Sequence, residues 1–171
     1  MSHPFVACAS NNAWANRTLY GATAGLSEEV FTAERPGFFP SLSATLNHIY
    51  EVDLYYIDAL TEGGLGLSVF DRDDIHDPKA LGAAQAASDV RLLEFCLGLT
   101  DADLSRRVVT ERREGTATET IGDLLPHLFQ HQVHHRGQAH VQLQHAGVDP
   151  PQLDDFFLEY GRVPSARDYP R

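Results

Sequence analysis

Residues 120–147 read TIGDLLPHLFQHQVHHRGQAHVQLQHAG, and this stretch decides what kind of chain the rest must be. Ile121, Leu124 and Leu128 recur at helical spacing, while Gly147 with Pro150 and Pro151 beyond it stops a helix near Ala146. Thr118 or Thr120 opens that helix. Pro126 conflicts with an unbroken run, because its ring removes a backbone donor and crowds the preceding turn; it either kinks the helix or marks a later start. Of nine histidines in the chain, six lie in this stretch: His127, His131, His134, His135, His140 and His145. That density calls for a chemical explanation.

On a wheel of about 100° per residue, His131 and His135 fall inside the Leu/Ile stripe, His127 and His134 at its edge, and His140 well off it. The i, i+4 spacing sets His131 and His135 one turn apart on one face. From there two ring nitrogens reach one ion at about 2.0–2.1 Å each. A buried imidazole without a partner costs about 1–3 kcal/mol per unsatisfied group, and a shared cation satisfies one nitrogen on each ring. The bland alternative is a solvated polar face. Two ligands do not make a stable site, so a metal reading needs a third donor from a neighbouring helix.

Three helical segments precede this one. The first runs from about Asn11 to Leu26, with Trp14, Leu19 and Ala22 as core candidates, before Pro36 and Pro40 break the chain. The second runs from Ser41 to about Leu60 and ends at Glu62-Gly63-Gly64; a long loop with Asp71, Asp73, Asp74 and Pro78 follows. The third spans about Lys79 to Leu97, with Ala84, Ala87, Val90, Leu93 and Leu97 as its apparent apolar stripe. Between Asp103 and Thr118 the pattern loosens, and Val108-Val109 with Glu111 to Thr116 form either a short extended piece or a loop. The tail carries Phe156, Phe157, Leu158 and Tyr160, apolar enough to dock on the body or on a second subunit. The whole chain, 1–171, reads as a single all-α domain, a four-helix bundle.

His48 is the candidate third donor, since His3 lies at the start and His76 in the acidic loop. Leu42, Leu46, Ile49, Tyr56 and Leu60 define the main stripe of the second helix. His48 lies about 120° from its centre, with Thr45, Val52, Tyr55 and Ala59, on a face that periodicity alone does not require to be buried. Asp53 falls within the main stripe, where an unpaired carboxylate is expensive. It is either an acceptor behind an imidazole N–H or the partner of an interior arginine, Arg17 or Arg136. Arg136 and Gln138, beside the histidine pair, join Asp53 as expected surroundings of the ligands. Glu51 is within reach of the same ion, but the wheel turns it toward solvent.

Thirteen basic against 24 acidic residues leave a formal charge of −11. Such a surface repels phosphate backbones and anionic lipid, so neither nucleic acid nor a membrane is expected as partner. Lys79 is the lone lysine, and the densest basic spots are Arg106-Arg107 and Arg112-Arg113. No apolar run approaches the roughly 18 residues that cross a bilayer, and the first residues lack a secretory signal, so a cytoplasmic address is expected. Cys8 and Cys96 are far apart and outside any CxxC pair; both are expected to be small buried hydrophobes.

The segments NNAWANRTLY (11–20), SLSATLNHIYEVDLYYIDAL (41–60) and HLFQHQVHHRGQAHVQLQHAG (127–147) together resemble the DinB family of the DinB/YfiT-like superfamily. The HxxHHRGQ core is the most specific element. The resemblance implies a four-helix bundle with a three-histidine metal site, nickel or zinc, and frequent homodimerisation. Carried over residue by residue, it places the ligands at His48, His131 and His135 and makes His134 a non-ligand. Gln130 departs from the pattern, which commonly shows Asn there.

Members of this superfamily include thiol S-transferases that use low-molecular-weight thiols, so the resemblance implies a metal-dependent transferase acting on a small molecule. A metal-dependent hydrolase and a non-catalytic metal-binding stress protein are the alternatives. The sequence shows no clear anion-binding motif for a thiol cofactor; Arg17 and Arg136 are the nearby candidates, and Arg136 reads more readily as half of a structural ion pair. A carboxylate di-iron bundle is excluded, because the chain contains no ExxH. Neutral imidazoles are required for ligation, so metal affinity is expected to fall below about pH 6.5.

Overall fold

The computed structural model describes residues 3–158 and 162–170. Helix α1 (Pro4–Thr23) begins at a proline, a residue whose fixed φ suits the first helical position, and the His3 side chain accepts from Phe5 N–H. It thus starts before Asn11 and ends before Leu26. A single-turn helix α2 (Glu28–Thr32), capped by Ser27, was not evident from periodicity. Helix α3 (Leu42–Leu60) is capped by Ser41, whose hydroxyl accepts from Ala44 N–H. Helix α4 (Pro78–Leu97) is capped by Asp77. Helix α5 (Ile121–His145) is capped by Thr120, and Gly147 just beyond it takes φ 75°. Pro126 sits in the second turn of an uninterrupted α5, so the helix starts before the proline and not at it.

The loosely patterned stretch is a hairpin: β1 (Arg107–Arg112) pairs antiparallel with β2 (Gly115–Thr120), from Arg107 opposite Thr120 to Arg112 opposite Gly115. Val108 and Thr110 point into the body while Val109 faces out, the alternation expected of a half-buried strand. Gly115 supplies the positive φ of 135° that closes the turn after Arg113-Glu114. Tyr55 on α3 donates its hydroxyl to Glu111 O and ties the hairpin to the bundle.

Helix α1 packs chiefly on α4, and α3 on α5. Helix α3 is buried nearly all round: Leu42, Leu46 and Ile49 have no exposure, and Thr45, Val52 and Tyr55 on the other stripe are buried too. The second stripe, which carries His48, therefore faces α5; Thr45 donates to Gln142 Oε1 at 2.7 Å.

Helix α4 mainly buries a different face from the one periodicity suggested, although Leu93 of the expected stripe packs partly buried against the core. Val90 and Leu97 are 55% and 57% exposed, and Ala87 is exposed, whereas Leu81, Gln85, Ser88, Asp89, Leu92 and Cys96 are buried. The reason is polar: Gln85 and Asp89 join an interior hydrogen-bond network and so must face inward. Cys96 is buried and Cys8 only partly so; both are free thiols. In the tail, Phe156 is fully buried against Trp14, ring centroids 5.8 Å apart, while Phe157 and Leu158 are about half exposed. Tyr160 lies outside the described residues. No described helix is long and apolar enough to cross a membrane.

Candidate metal centre

Helix α3 brings His48, and α5 brings His131 and His135, to one place. Ring centroids are 5.0 Å (His48–His131), 4.6 Å (His48–His135) and 4.4 Å (His131–His135) apart. One donor atom from each lies within 4.8 Å of the others, and the Nε2 atoms of His48 and His131 are 3.0 Å apart. Two nitrogens about 2.0–2.1 Å from a common ion, at an angle of about 90–110°, stand about 2.8–3.4 Å apart. The His48–His131 pair stands at that spacing, and His135 offers a third nitrogen within 4.8 Å of both. His131 turns Nε2 to this cluster, while its other ring nitrogen, Nδ1, is buried without a hydrogen-bond partner among the described residues and lies outside the shared donor set. The donors are all nitrogen, a set suited to zinc, nickel or copper and unlike the oxygen shells of magnesium or calcium.

Burial holds all three rings in the form that ligates. Desolvation, then the neighbouring His135 ring, lowers His48 to about 4; desolvation, then His135 and His48, lowers His131 to about 3. His135 is lowered as well, again first by burial. Its Nδ1–H donates to Gln138 Oε1 at 2.8 Å, which leaves Nε2 unprotonated and directed away from Gln138. Gln138 is itself oriented, because its Nε2 donates to His134 Nε2 at 3.0 Å. His134 thus stands one step behind the triad.

An aromatic cover was not foreseen. Phe39 lies 4.5 Å from His48 and 5.6 Å from His135, centroid to centroid. Gln142 fixes the loop that carries it, donating Nε2 to Phe39 O at 2.8 Å. Gly37 permits that approach: a Cβ there would stand 2.8 Å from Gln142 Nε2. Four residues C-terminal to Gln138, the Gln142 position on the α3-facing side of α5 was the available signal.

Asp53 and Arg136, expected around the ligands, belong to a different buried network. Asp53 has no exposure and accepts from Gln85 Nε2 at 2.7 Å. Asp89 Oδ1 accepts from Asn12, Asn16 and Gln85 at 3.2, 2.9 and 3.1 Å. Arg136 donates to Asn12, Asn16 and Gln132. None of these bonds runs to the three imidazoles. One guanidinium sits among two buried carboxyls: desolvation, then Asp53, pushes Asp89 up to about 8, and desolvation pushes Asp53 up to about 6. Near neutral pH Asp89 keeps its proton, and Arg136 balances Asp53 alone. Glu51 turns away from the site toward Arg72, 3.6 Å distant. Arg17 is exposed on α1, so neither expected anion-binding arginine reaches the triad.

His131 also lines a cleft of about 350 Å³, with Tyr55, Tyr56, Phe70, Arg112, Arg113 and His127 among its other walls. The histidine edge of α5 therefore opens onto a pocket, while Phe39 and Gln138 close the other side.

A mostly helical bundle with three converging histidines on its two central helices defines the class of protein. The DinB family model matches residues 1–167, and the chain belongs to the DinB family. Protein DinB of Bacillus subtilis (strain 168) is 26% identical over 141 residues, 80% of this chain and 82% of that protein. The crystal structure of a DinB-like protein from Bacillus cereus ATCC 10987 superposes with a TM-score of 0.64 at 20% identity, covering 81% of this chain and 90% of the other. That likeness carries the fold.

Proposed function

We propose that the protein binds a divalent ion, nickel or zinc, through His48, His131 and His135 and uses it to activate a low-molecular-weight thiol for transfer to a small electrophile. One observation supports this above others: three uncharged imidazoles converge, and one of them, His131, also walls an open cleft. An ion held by three histidines keeps at least one position free, and it lowers the pKa of a thiol or water placed there toward neutrality.

The chain's own residues do the rest. Gln138 holds His135 in one tautomer, and Phe39 shields His48 and His135 from solvent. His127, exposed in the cleft against the Tyr56 ring at 5.2 Å, is placed to accept the thiol proton. In the transfer, sulfur forms a bond to the electrophilic carbon and the leaving group departs with its bonding pair. The same reading takes the protein to work in the cytoplasm on a small molecule, away from nucleic acid and membrane, as its charge of −11 supports. It also takes it to work as a homodimer; the exposed apolar Val133 and Phe157, which line one groove, support that state.

The test is conjugation of 1-chloro-2,4-dinitrobenzene with a panel of small thiols by metal-loaded and chelated protein. Thiol-dependent turnover lost on chelation supports the transferase. Turnover without any thiol points to the hydrolase, and a tightly held ion with no turnover reduces the protein to a non-catalytic metal binder.

A further inference from the structure

The cleft beside His131 has an apolar floor and a charged mouth. Val52, Tyr55 and Tyr56 come from α3, and Leu67 and Phe70 from the 3₁₀ turn Gly66–Asp71. Tyr55 meets Tyr56 edge-on and Phe70 at a tilt, ring centroids 5.1 and 5.4 Å away, and Phe70 is left 40% exposed. At about 350 Å³ the cleft falls in the size range of small-molecule sites, about 300–1,000 Å³.

Three charged side chains from the hairpin stand at this cleft, and two are already engaged. Glu111 turns its carboxylate to Leu67 N–H at 2.9 Å. Arg112 donates to Tyr55 OH at 2.7 Å and pairs with Glu119 at 3.0 Å. Arg113, in the turn itself, makes no side-chain hydrogen bond or ion pair among the described residues. In a chain of charge −11, Arg113 is the one charged side chain lining this cleft that is left without a partner among the described residues, and it shares the cleft with the aromatic floor. Glu111 and Arg112 already have protein partners, a cation would be repelled by Arg113, and a neutral apolar molecule would leave Arg113 unused.

We propose that this cleft takes a small organic anion, an apolar or aromatic body bearing one carboxylate-like charge, with Arg113 binding the charge and Tyr55, Tyr56 and Phe70 the body. The assignment of His131 as the reacting end rests on the metal reading above; the anion preference does not.

The test uses metal-free protein, so that no ion can bind the carboxylate, and calorimetric titration with 4-phenylbutyrate and its neutral analogue 4-phenylbutanamide at low salt. The acid should bind about tenfold or more tighter than the amide, the worth of a charge-assisted hydrogen bond. R113Q should abolish that ratio and R113K retain part of it, while F70A should weaken both probes alike. Equal binding of acid and amide by the parent, or a preference undiminished in R113Q, overturns the proposal. Metal titration of the same parent and R113Q preparations keeps the two readings apart. Normal metal uptake without anion preference sinks this inference alone, and anion preference without metal uptake sinks the metal reading alone.

Discussion

Asp89→Asn isolates the protonated carboxyl in the core. The side chain is 4% exposed, and its pKa rises from 3.8 to about 8 on folding. A raised pKa means the folded state keeps a proton that the unfolded chain releases. The stability this group contributes is present below about pH 4 and drains away as pH rises toward 8. At about 1.36 kcal/mol per pH unit, Asp89 should cost about 2–3 kcal/mol between pH 6 and pH 8.

The histidines act with the opposite sign. Their folded pKa values are lowered, so below about 6.5 the unfolded chain takes up protons that the fold refuses. Between pH 6 and 8 His48 and His131 each return at most about 0.8 kcal/mol, reduced by solvent screening at these partly exposed rings, and His135 adds in the same direction. The parent's own pH profile can therefore look nearly flat, and the informative quantity is the difference between variant and parent. The substituted side chain keeps an amide oxygen for Asn12, Asn16 and Gln85 but has nothing to ionise. Urea unfolding of both chelated proteins at pH 6 and pH 8 should show the variant gaining about 2–3 kcal/mol on the parent, or about 5–10 °C in Tm. A difference that stays within about 0.5 kcal/mol across that range would refute the buried, protonated carboxyl.

Other outcomes follow from the same structure. Gln138→Ala should weaken metal affinity about tenfold to a hundredfold in competition with a chromophoric chelator, since the group that fixes the His135 tautomer is gone; an unchanged affinity would remove that role. Phe156→Ala should cost about 3–5 kcal/mol in urea unfolding if the tail is docked on Trp14 as described, against less than about 1 if it is not. Metal affinity, followed by titration at stepped pH, should start to fall below the 6.5 of a free imidazole, because burial lowers all three rings, His48 to about 4 and His131 to about 3. A midpoint at 6.5 would mean the rings are solvated.

Much of the bundle was legible because α5 and α3 announce their ends with Thr120, Ser41 and Gly147 and keep helical periodicity between them. His131 and His135 could be placed on one face from spacing alone. His48 could not, since α3 is buried on two sides and a wheel rewards only the stronger stripe; its role came with the family resemblance. Helix α4 misled for a related reason. Its inward face holds Gln85, Ser88 and Asp89, which interrupt the apolar series Leu81, Leu92, Cys96, so the exposed Val90 and Leu97 looked like the core. The helical stripe marks Asp53 as an expensive carboxylate, but its companions Gln85 and Asp89 come from a helix far along the chain. The cleft is assembled from α3, a 3₁₀ turn, a hairpin and α5, a convergence that no local pattern encodes.

The central claim is that three imidazoles share one cation. Elemental analysis of tag-free protein, with the single variants His48→Ala, His131→Ala and His135→Ala beside His127→Ala and His140→Ala, tests it most directly. One ion per chain should be found in the parent and in the last two, and none in the first three. Full stoichiometry in His135→Ala, or an ion lost with His140 instead, would contradict it.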